Sequence, residues 1–393
     1  MNSFEYYNPV KVIFKENSIY EVGKVAVGYG KKALLVSYKD PVFLLDAITT
    51  VHNSLKESQI ECVDYFNITA NPTIAQARRG IEICKSNQID FVIGLGGGSV
   101  MDCAKAIAAG VLYTGDIVNM FVFNHSHQTQ NPPQNALPTI MISTLPATGS
   151  EMNPTAVLTN EQTQKKSYIW AESIYPKVAI LDPVLTVGLP CYQTACGAID
   201  TIAHVVEAYF NGNESNLILQ DNMEEAVIHT VMETLPVVLT QPNNLQTRGV
   251  MMWAASIALN GWVNSGTMIF TPMHQLGHVL SAQYNATHGA TLACLMPAWM
   301  RFFAQKDEAS SRRCRQFAER FFSCSLSEAA DRFEAWIKEK GVQTHISEFG
   351  VKEEDINFLA QQVREVSFNA DDVLGSYPPI TLEDVKTIYH LAL

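Results

Sequence analysis

Residues 91–110 read FVIGLGGGSVMDCAKAIAAG. An apolar run typical of a buried strand meets three consecutive glycines, and a helical pattern follows. Residues without a Cβ let a backbone approach a diphosphate, and free N–H groups at a helix start bind anions. The pattern is neither Gly-x-Gly-x-x-Gly nor a P-loop, so two interpretations stay open: a tight turn between packed elements, or a turn that holds phosphates.

The surrounding sequence alternates between strand-like and helical segments up to about residue 185. Strand-like runs cover 10–14, 33–37 and 177–181, and a helical pattern covers 73–86. This alternation predicts parallel strands joined by crossover helices. Helical periodicity then dominates, at 194–210, 217–239, 310–322 and 326–340. We predict a Rossmann-like α/β domain with a mostly parallel sheet over 1–188, an all-helical domain over 189–393, and a ligand cleft between them.

The composition of the chain argues against several classes of function. The 393 residues are 47% hydrophobic and 17% charged, with a net charge of 27 − 39 = −12, which disfavours nucleic acid as a partner. The start of the chain lacks a signal-peptide pattern, and the eight cysteines contain no Cys-x-x-Cys pair, so we expect a cytoplasmic protein without a thiolate zinc site. Polar residues and Pro272 interrupt the apolar stretch 249–273, so no membrane span is expected.

Histidines and a carboxylate cluster in the second half. Asp200 and His204 are four residues apart, as are His274 and His278, and His288 follows. Helical spacing of four places both members of a pair on one face. Burying such groups without partners costs roughly 2–7 kcal/mol each, which a divalent transition metal would offset. A hydrogen-bonded core histidine is the alternative for each position taken alone.

Three further signatures occur in order along the chain: 180–183 (ILDP), 195–200 (ACGAID) with Glu207, and 285–289 (NATHG). With these signatures and spacings, the sequence resembles the iron-containing (group III) alcohol dehydrogenase family. It is most similar to the NADP-dependent butanol dehydrogenase and aldehyde reductase branch of that family. The resemblance implies a dehydroquinate synthase-like architecture and a homodimer formed through the first domain. It implies a metal centre made by Asp200, His204, His274 and His288, with His278 as a catalytic proton-relay residue. It implies cofactor contacts by Gly96, Gly97, Gly98, Ser99, Asp102, Thr144, Thr148 and Lys166, the last in preference to Lys165.

The cofactor expected is NADP rather than NAD. NAD-preferring relatives carry an aspartate after the second strand, whereas this chain has Ser37, Tyr38 and Lys39. A hydroxyl and a lysine can bind a 2′-phosphate, which an aspartate would repel. Asp40, the next residue, is the one feature that argues against this preference. The resemblance also implies one divalent metal, iron or zinc, with nickel and cobalt possible. The chain departs from the family at 14–17 (FKEN), where a glycine turn is usual.

Together these features predict hydride transfer between NADP(H) and an aldehyde or primary alcohol. Two alternatives remain at this point. One is a metal- and nicotinamide-dependent lyase of the dehydroquinate synthase kind, which the scarcity of cations near the ligands disfavours. The other is a catalytically silent metal-binding protein on the same fold. Neither nucleic acid nor a membrane is expected as a partner.

Overall fold

The computed structural model describes residues 2–122, 131–210, 217–267 and 271–393. In this part of the chain, six strands form one sheet in the order β1-β8-β5-β4-β2-β3, with every neighbouring pair parallel. Two further strands, β6 and β7, form an antiparallel hairpin. The strands are β1 Lys11–Phe14, β2 Lys32–Tyr38, β3 Glu61–Ile68, β4 Phe91–Gly96, β5 Thr139–Ser143, β6 Thr155–Asn160, β7 Lys165–Trp170 and β8 Val178–Leu181.

Helices cover both faces of the sheet and dominate the described residues of the second half. The α-helices of the first half are α1 Val22–Ala26, α2 Leu45–Glu57, α3 Ile74–Asn87 and α4 Gly98–Leu112. Those of the second half are α5 Cys191–Phe210, α6 Ile218–Thr240, α7 Leu245–Ala258, α8 Pro272–Tyr284, α9 His288–Ala304, α10 Glu308–Phe317, α11 Leu326–Glu339, α12 Ile356–Ser367 and α13 Leu382–Ala392. The predicted order of an α/β domain and an all-helical region is therefore confirmed.

The sheet separates two apolar layers, as the period-2 geometry of strands requires. Leu34 and Val36 of β2 pack with α3 and α4 on one face. Ala33 and Leu35 pack with α1 and α2 on the other. Since both faces are covered, the central strands are continuously apolar rather than alternating. This explains why the strand-like runs are visible in the sequence.

The helical half is built around α9, which packs against α5, α8, α11 and α13. Its fully buried Trp299 lies in one large apolar cluster shared by these helices. The predicted helix over 310–322 is α10 followed by a single wider turn at Ala318–Phe322. Within the described ranges, none of the helices combines the length and apolar character needed to cross a membrane.

The loop after β1, where the chain lacks the usual glycine, is held by the end of β8. The Asp182 carboxylate accepts hydrogen bonds from the backbone N–H groups of Asn17 (3.0 Å) and Ile19 (3.3 Å). Asn17 adopts the left-handed conformation, with φ at 60°, which asparagine tolerates better than most residues. Asparagine thus fills the place of a glycine at this turn.

Candidate active site

Three helices bring together four side chains of the types that bind metals. Asp200 and His204 lie one turn apart on α5, His274 lies in the first turn of α8, and His288 begins α9. The Oδ1 atom of Asp200 is 4.0 Å from Nε2 of His204 and 3.6 Å from Nε2 of both His274 and His288. The structure therefore brings together all four residues that were predicted as ligands.

This arrangement fits a divalent metal. Ligands about 2.0–2.2 Å from a tetrahedral ion lie about 3.3–3.6 Å from one another, close to the separations seen here. Both Asp200 Oδ1 and His274 Nε2 are buried, and neither has a hydrogen-bond partner among the described residues. Since buried polar atoms are normally paired, these two atoms point to an ion between them.

The charge state of the cluster also suits a cation. Burial opposes ionisation of Asp200, but the neighbouring His204, His288 and His274 outweigh it and lower the pKa of the carboxyl. Burial lowers the pKa of His204 to about 4. Burial would also lower the pKa of His274, but Glu207 and Asp200 raise it to about 9. An ion at Nε2 takes the place of that proton, because metal ligands must be deprotonated.

Glu207 positions His274, a role that sequence reasoning missed. The residue lies three positions beyond His204 on α5, and its side chain is fully buried. Its carboxylate accepts hydrogen bonds from Nδ1 of His274 and from the backbone N–H groups of Met273 and His274. The bond at Nδ1 turns Nε2 toward Asp200, as outer-shell carboxylates do at metal sites. The helical spacing from His204 was the available sequence signal.

The glycine turn at 96–98 places the start of α4 beside the cleft that contains the histidine cluster. Gly97 caps α4, and the helix begins at Gly98. A Cβ on Gly98 would lie 2.6 Å from Thr148, and one on Gly97 would lie 3.1 Å from Leu145. Only glycine fits so close an approach of the chain to the loop after β5. The helix N-terminus is left facing the cleft, where a phosphate is favoured.

A cleft of about 260 Å³ is lined by residues of both halves. Nine of the predicted site residues line it: Gly98, Ser99, Asp102, Thr148, Lys166, His204, His274, His278 and His288. Asp200 lies behind these histidines and is buried. Six other predicted site residues are not among the described residues that line the cleft: Ser37, Tyr38, Lys39, Gly96, Gly97 and Thr144. Of these, Thr144 is buried and its N–H donates to the Gly96 carbonyl (3.0 Å), so it supports the glycine turn.

Asp102 and Lys105 hold the wall of the cleft from inside α4. The Asp102 carboxylate accepts hydrogen bonds from Ser150 Oγ (2.5 Å) and from the Val157 N–H (3.0 Å). Lys105 is fully buried and donates from Nζ to the carbonyls of Ser150 (2.8 Å) and Asn153 (3.2 Å). Burial raises the pKa of Asp102 and lowers that of Lys105 to about 8. Sequence reasoning did not identify Lys105, because a buried lysine has no pattern of its own.

Of the two candidate lysines, Lys166 is the one that faces the cleft. Its ammonium is buried and donates to Oδ1 of Asn71 (3.0 Å). Burial lowers its pKa to about 8, which Asp102 and Asp200 partly offset. Lys165, on the opposite side of β7, forms an ion pair with Glu365 (3.0 Å).

Two family comparisons cover nearly the whole chain. Residues 9–183 match the family described as iron-containing alcohol dehydrogenase, and residues 194–393 match the C-terminal region of that family. The chain belongs to the iron-containing alcohol dehydrogenase family. The family predicted from the sequence is therefore confirmed, and the fold and the ligand geometry agree with it.

Individual relatives match the chain from end to end. A protein of Bacillus subtilis named probable NADH-dependent butanol dehydrogenase 1 is 32% identical over 403 residues, covering 100% of both chains. The NADPH-dependent aldehyde reductase of Escherichia coli is 30% identical over 400 residues, again covering 100% of both. The crystal structure of NADH-dependent butanol dehydrogenase A from Thermotoga maritima has a TM-score of 0.92 at 33% identity, covering 100% of this chain and 99% of that one.

Membership in the iron-containing alcohol dehydrogenases gives the chain its reaction class. It is a metal-dependent oxidoreductase of alcohols and aldehydes, and it uses a nicotinamide cofactor and a divalent metal. The lyase and the silent metal-binding protein are therefore not the class of this chain. The names of the relatives include both NADH and NADPH.

Residues 37–39, which the sequence predicts to contact the cofactor, lie at the end of β2. Strand β2 extends through Tyr38, so Ser37 is still inside the sheet. Its side chain is buried, and its hydroxyl donates to the Leu95 carbonyl (2.9 Å). Tyr38 Oη accepts a hydrogen bond from the Gly97 N–H (2.9 Å) and so braces the glycine turn. Lys39 alone of the three has an exposed side chain.

Gly289 fixes His288 against α5, which leads to a first prediction. A Cβ at Gly289 would lie 2.1 Å from the Cys196 carbonyl oxygen, so α9 and α5 must separate in Gly289→Ala. Because His288 and Asp200 lie on these two helices, we expect the variant to retain less metal and to melt at a lower temperature. Elemental analysis and thermal denaturation measure both. Gly188→Ala is the control, since nothing lies within 4 Å of its Cβ position. A Gly289→Ala protein with full metal content would contradict the prediction.

Proposed function

We propose that this alcohol dehydrogenase transfers a hydride between NADP(H) and a small aldehyde and its primary alcohol, at a centre formed by Asp200, His204, His274 and His288. The observation that carries the proposal is that three of these ligands line the same cleft as the N-terminus of α4. In this proposal, residues 1–188 hold the cofactor and residues 189–393 hold the metal. A divalent metal at this centre, iron or zinc, supplies Lewis-acid polarisation of the substrate oxygen.

The residues of the first half would hold the cofactor. The turn at Gly96 to Ser99, at the N-terminus of a 15-residue helix, would hold the pyrophosphate. The N–H groups of Gly98 and Ser99 would face it, because these two residues line the cleft, whereas the Gly97 N–H is bonded to Tyr38 Oη. Thr148 packs directly over Gly98, and Asp102 and Thr144 keep the surrounding loops in place. Lys166 would reach the part of the cofactor that lies deepest, because its ammonium and the metal ligands line the same cleft.

The lining of the cleft favours an uncharged substrate. Lys166 is the only lysine or arginine among the described lining residues, and Leu259, Val157 and Tyr168 add apolar surface. A substrate with several phosphates or carboxylates needs more cations than one buried lysine supplies. A small aldehyde needs only a place for its oxygen and an apolar wall.

His278 is proposed to move the proton that accompanies hydride transfer. Its ring lines the cleft, and its centroid lies 5.3 Å from that of His288. Burial, with Lys166 and the neighbouring histidines, keeps its pKa well below the usual range. The ring is therefore neutral at neutral pH, and its buried Nδ1 has no hydrogen-bond partner among the described residues. A neutral imidazole with an unpaired ring nitrogen can accept and release a proton.

The His278→Ala variant separates this role from metal binding. We expect kcat to fall by about 10²–10⁴-fold, the usual contribution of a general acid or base, with metal content unchanged. Steady-state kinetics and elemental analysis on the same sample measure the two quantities. His229→Ala is the control, because His229 stacks on Phe321 and does not line the cleft. Loss of metal from His278→Ala would refute the proton-relay role.

Lys39 supports the proposed preference for NADPH over NADH. Its exposed ammonium follows β2, where the ribose is expected, and a charge-assisted bond to a 2′-phosphate is worth about 1.5–3 kcal/mol. We expect Lys39→Ala to weaken NADPH binding by about tenfold or more and to leave NADH binding unchanged. Calorimetric titration with each cofactor measures this. Lys31→Ala, at the opposite end of β2, is the control. Equal weakening for both cofactors would contradict the preference.

Two features support a homodimer formed through the first half. The outer edge of β1 is unpaired within the described sheet, and edge strands readily pair with another chain. Phe14 and Trp253 lie together beside it and are 45% and 40% exposed. Sedimentation velocity on the purified chain measures the mass directly.

The eight cysteines are all free, which agrees with the proposed cytoplasmic location.

The test of the proposed function is the absorbance of the reduced nicotinamide. Metal-reconstituted protein is mixed with butyraldehyde and either NADPH or NADH, and a chelator-treated sample is measured beside it. We expect faster consumption of NADPH and loss of activity in the chelated sample. No consumption of either cofactor with several aldehydes, despite bound metal, would overturn the proposal.

A further inference from the structure

Three metal-binding side chains of different types meet on the surface of the first half. They are His52 on α2 and Cys62 and Asp64 on β3. His52 Nε2 lies 2.8 Å from Asp64 Oδ1, and Cys62 Sγ lies 3.8 Å from the same oxygen. All three ligand atoms lie within 4.8 Å of one another. None of these residues lines the cleft.

The fold itself brings these side chains together. Cys62 and Asp64 are two residues apart on β3, so both point to the same face. Helix α2 covers that face, with Val51 and Leu55 in the apolar layer against which Cys62 packs. His52 follows Val51 and lies at the rim of this layer. The strand and the helix are both anchored by burial, so the cluster does not depend on a mobile loop.

An ordinary ion pair does not account for the whole cluster. The side chains of His52 and Asp64 are 37% and 40% exposed, and such pairs contribute little to stability. The Cys62 thiol donates a weak hydrogen bond to the same carboxylate oxygen (3.8 Å), so one oxygen of Asp64 holds both of the other side chains in place. Imidazole, thiolate and carboxylate together are a ligand set typical of zinc, whose ligands lie about 3.3–3.6 Å apart. The half-exposed His52 and Asp64 need only small rotations to reach those separations.

We propose that His52, Cys62 and Asp64 form a second metal site, which takes a borderline-soft divalent cation such as Zn²⁺ or Cd²⁺ and keeps one position open to water. The bound ion joins α2 to β3, at the edge of the sheet opposite β1. Burial, with Asp64 close by, raises the pKa of the free Cys62 thiol to about 12. The ion must displace that proton, so binding weakens as the pH falls.

Cd²⁺ tests the site in the holoenzyme, because a Cd²⁺–thiolate bond gives an ultraviolet charge-transfer band. The ligands proposed for the catalytic metal contain no sulfur, so that centre gives no such band. We expect one saturable equivalent of the band, which Cys62→Ser abolishes. His52→Gln and Asp64→Asn should weaken binding by at least about tenfold, since even outer-shell partners of metal ligands contribute about 10- to 100-fold. Cys324→Ser, which changes another partly exposed thiol, is the control and should keep the band.

A second readout is the melting temperature, which Zn²⁺ should raise in the unmodified chain and leave unchanged in Cys62→Ser. Aldehyde reduction should be the same in all these variants, because the site lies outside the cleft. The proposal is overturned if the band survives in Cys62→Ser, if no band forms at one equivalent, or if His52→Gln binds Cd²⁺ as tightly as the unmodified chain. These outcomes do not depend on the assay with butyraldehyde and NADPH.

Discussion

The Asp200→Asn variant is expected to purify with little bound metal and to lose aldehyde reduction by about 10³-fold or more. Asp200 is the single anion among the proposed ligands, and its Oδ1 is the atom around which the three imidazoles gather. Asparagine has nearly the same shape but removes the charge that offsets a divalent cation. Polarisation of the substrate oxygen is worth several kcal/mol, and each 1.4 kcal/mol, approximately, is a factor of ten in rate.

Glu207→Gln provides a graded comparison. The amide keeps the size of the side chain but weakens its acceptor bonds to His274, so the ring is held less firmly. We expect metal affinity to fall by about 10- to 100-fold, less than in Asp200→Asn. Competition with a chelator measures both affinities, and excess metal should restore activity to Glu207→Gln but not to Asp200→Asn. An Asp200→Asn protein that keeps its metal and its rate would refute the assigned centre.

Short-range sequence patterns predict part of this centre, and the family resemblance supplies the complete set of four ligands. Helical spacing alone places Asp200 and His204 on one face, and the order of strand, glycines and helix locates the turn at 96–98. The spacing does not show that α9 brings His288 to within 3.6 Å of Asp200. That distance depends on tight packing of α9 against α5 at Gly289, which is a tertiary contact.

The features of the site that the sequence did not reveal depend on contacts between distant parts of the chain. The second strand-like run was predicted to end at Ser37, but β2 continues through Tyr38, and the Ser37 hydroxyl donates a hydrogen bond across the sheet to the Leu95 carbonyl. Strand ends are set by pairing with neighbours, which a single sequence does not contain. Lys105 and Glu207 act through backbone groups 45 and 67 residues away. Hydrogen bonds over such separations leave no periodic signal.

The second large effect is on stability, and it comes from a buried ion pair in the helical half. Arg313 of α10 donates two hydrogen bonds to the Asp221 carboxylate of α6, at 3.1 and 2.7 Å, and a third to the Tyr209 carbonyl (2.9 Å). The side chains of Arg313 and Asp221 are each only 4% exposed. Glu224 is fully buried nearby, and burial raises its pKa well above the usual range although Arg313 opposes this.

The Arg313→Met variant should lose about 3–5 kcal/mol of the free energy of unfolding, because it leaves the Asp221 carboxylate buried without its cation. Denaturant unfolding, monitored by the loss of helix in circular dichroism, measures the change in the free energy of unfolding. Arg79→Met is the control, since the Arg79–Glu82 pair is exposed on both sides and should contribute about 0–1 kcal/mol.

The decisive comparison is the double variant Arg313→Met with Asp221→Leu. If the cost of the single change comes from the unpaired carboxylate, removing that carboxylate should recover part of the lost stability, because apolar side chains can replace a buried ion pair at little cost. The double variant is therefore expected to be more stable than Arg313→Met alone. A double variant less stable than the single one would mean that the packing of Arg313 on the Tyr209 ring, at 4.3 Å, and its bond to the Tyr209 carbonyl provide the stabilisation instead.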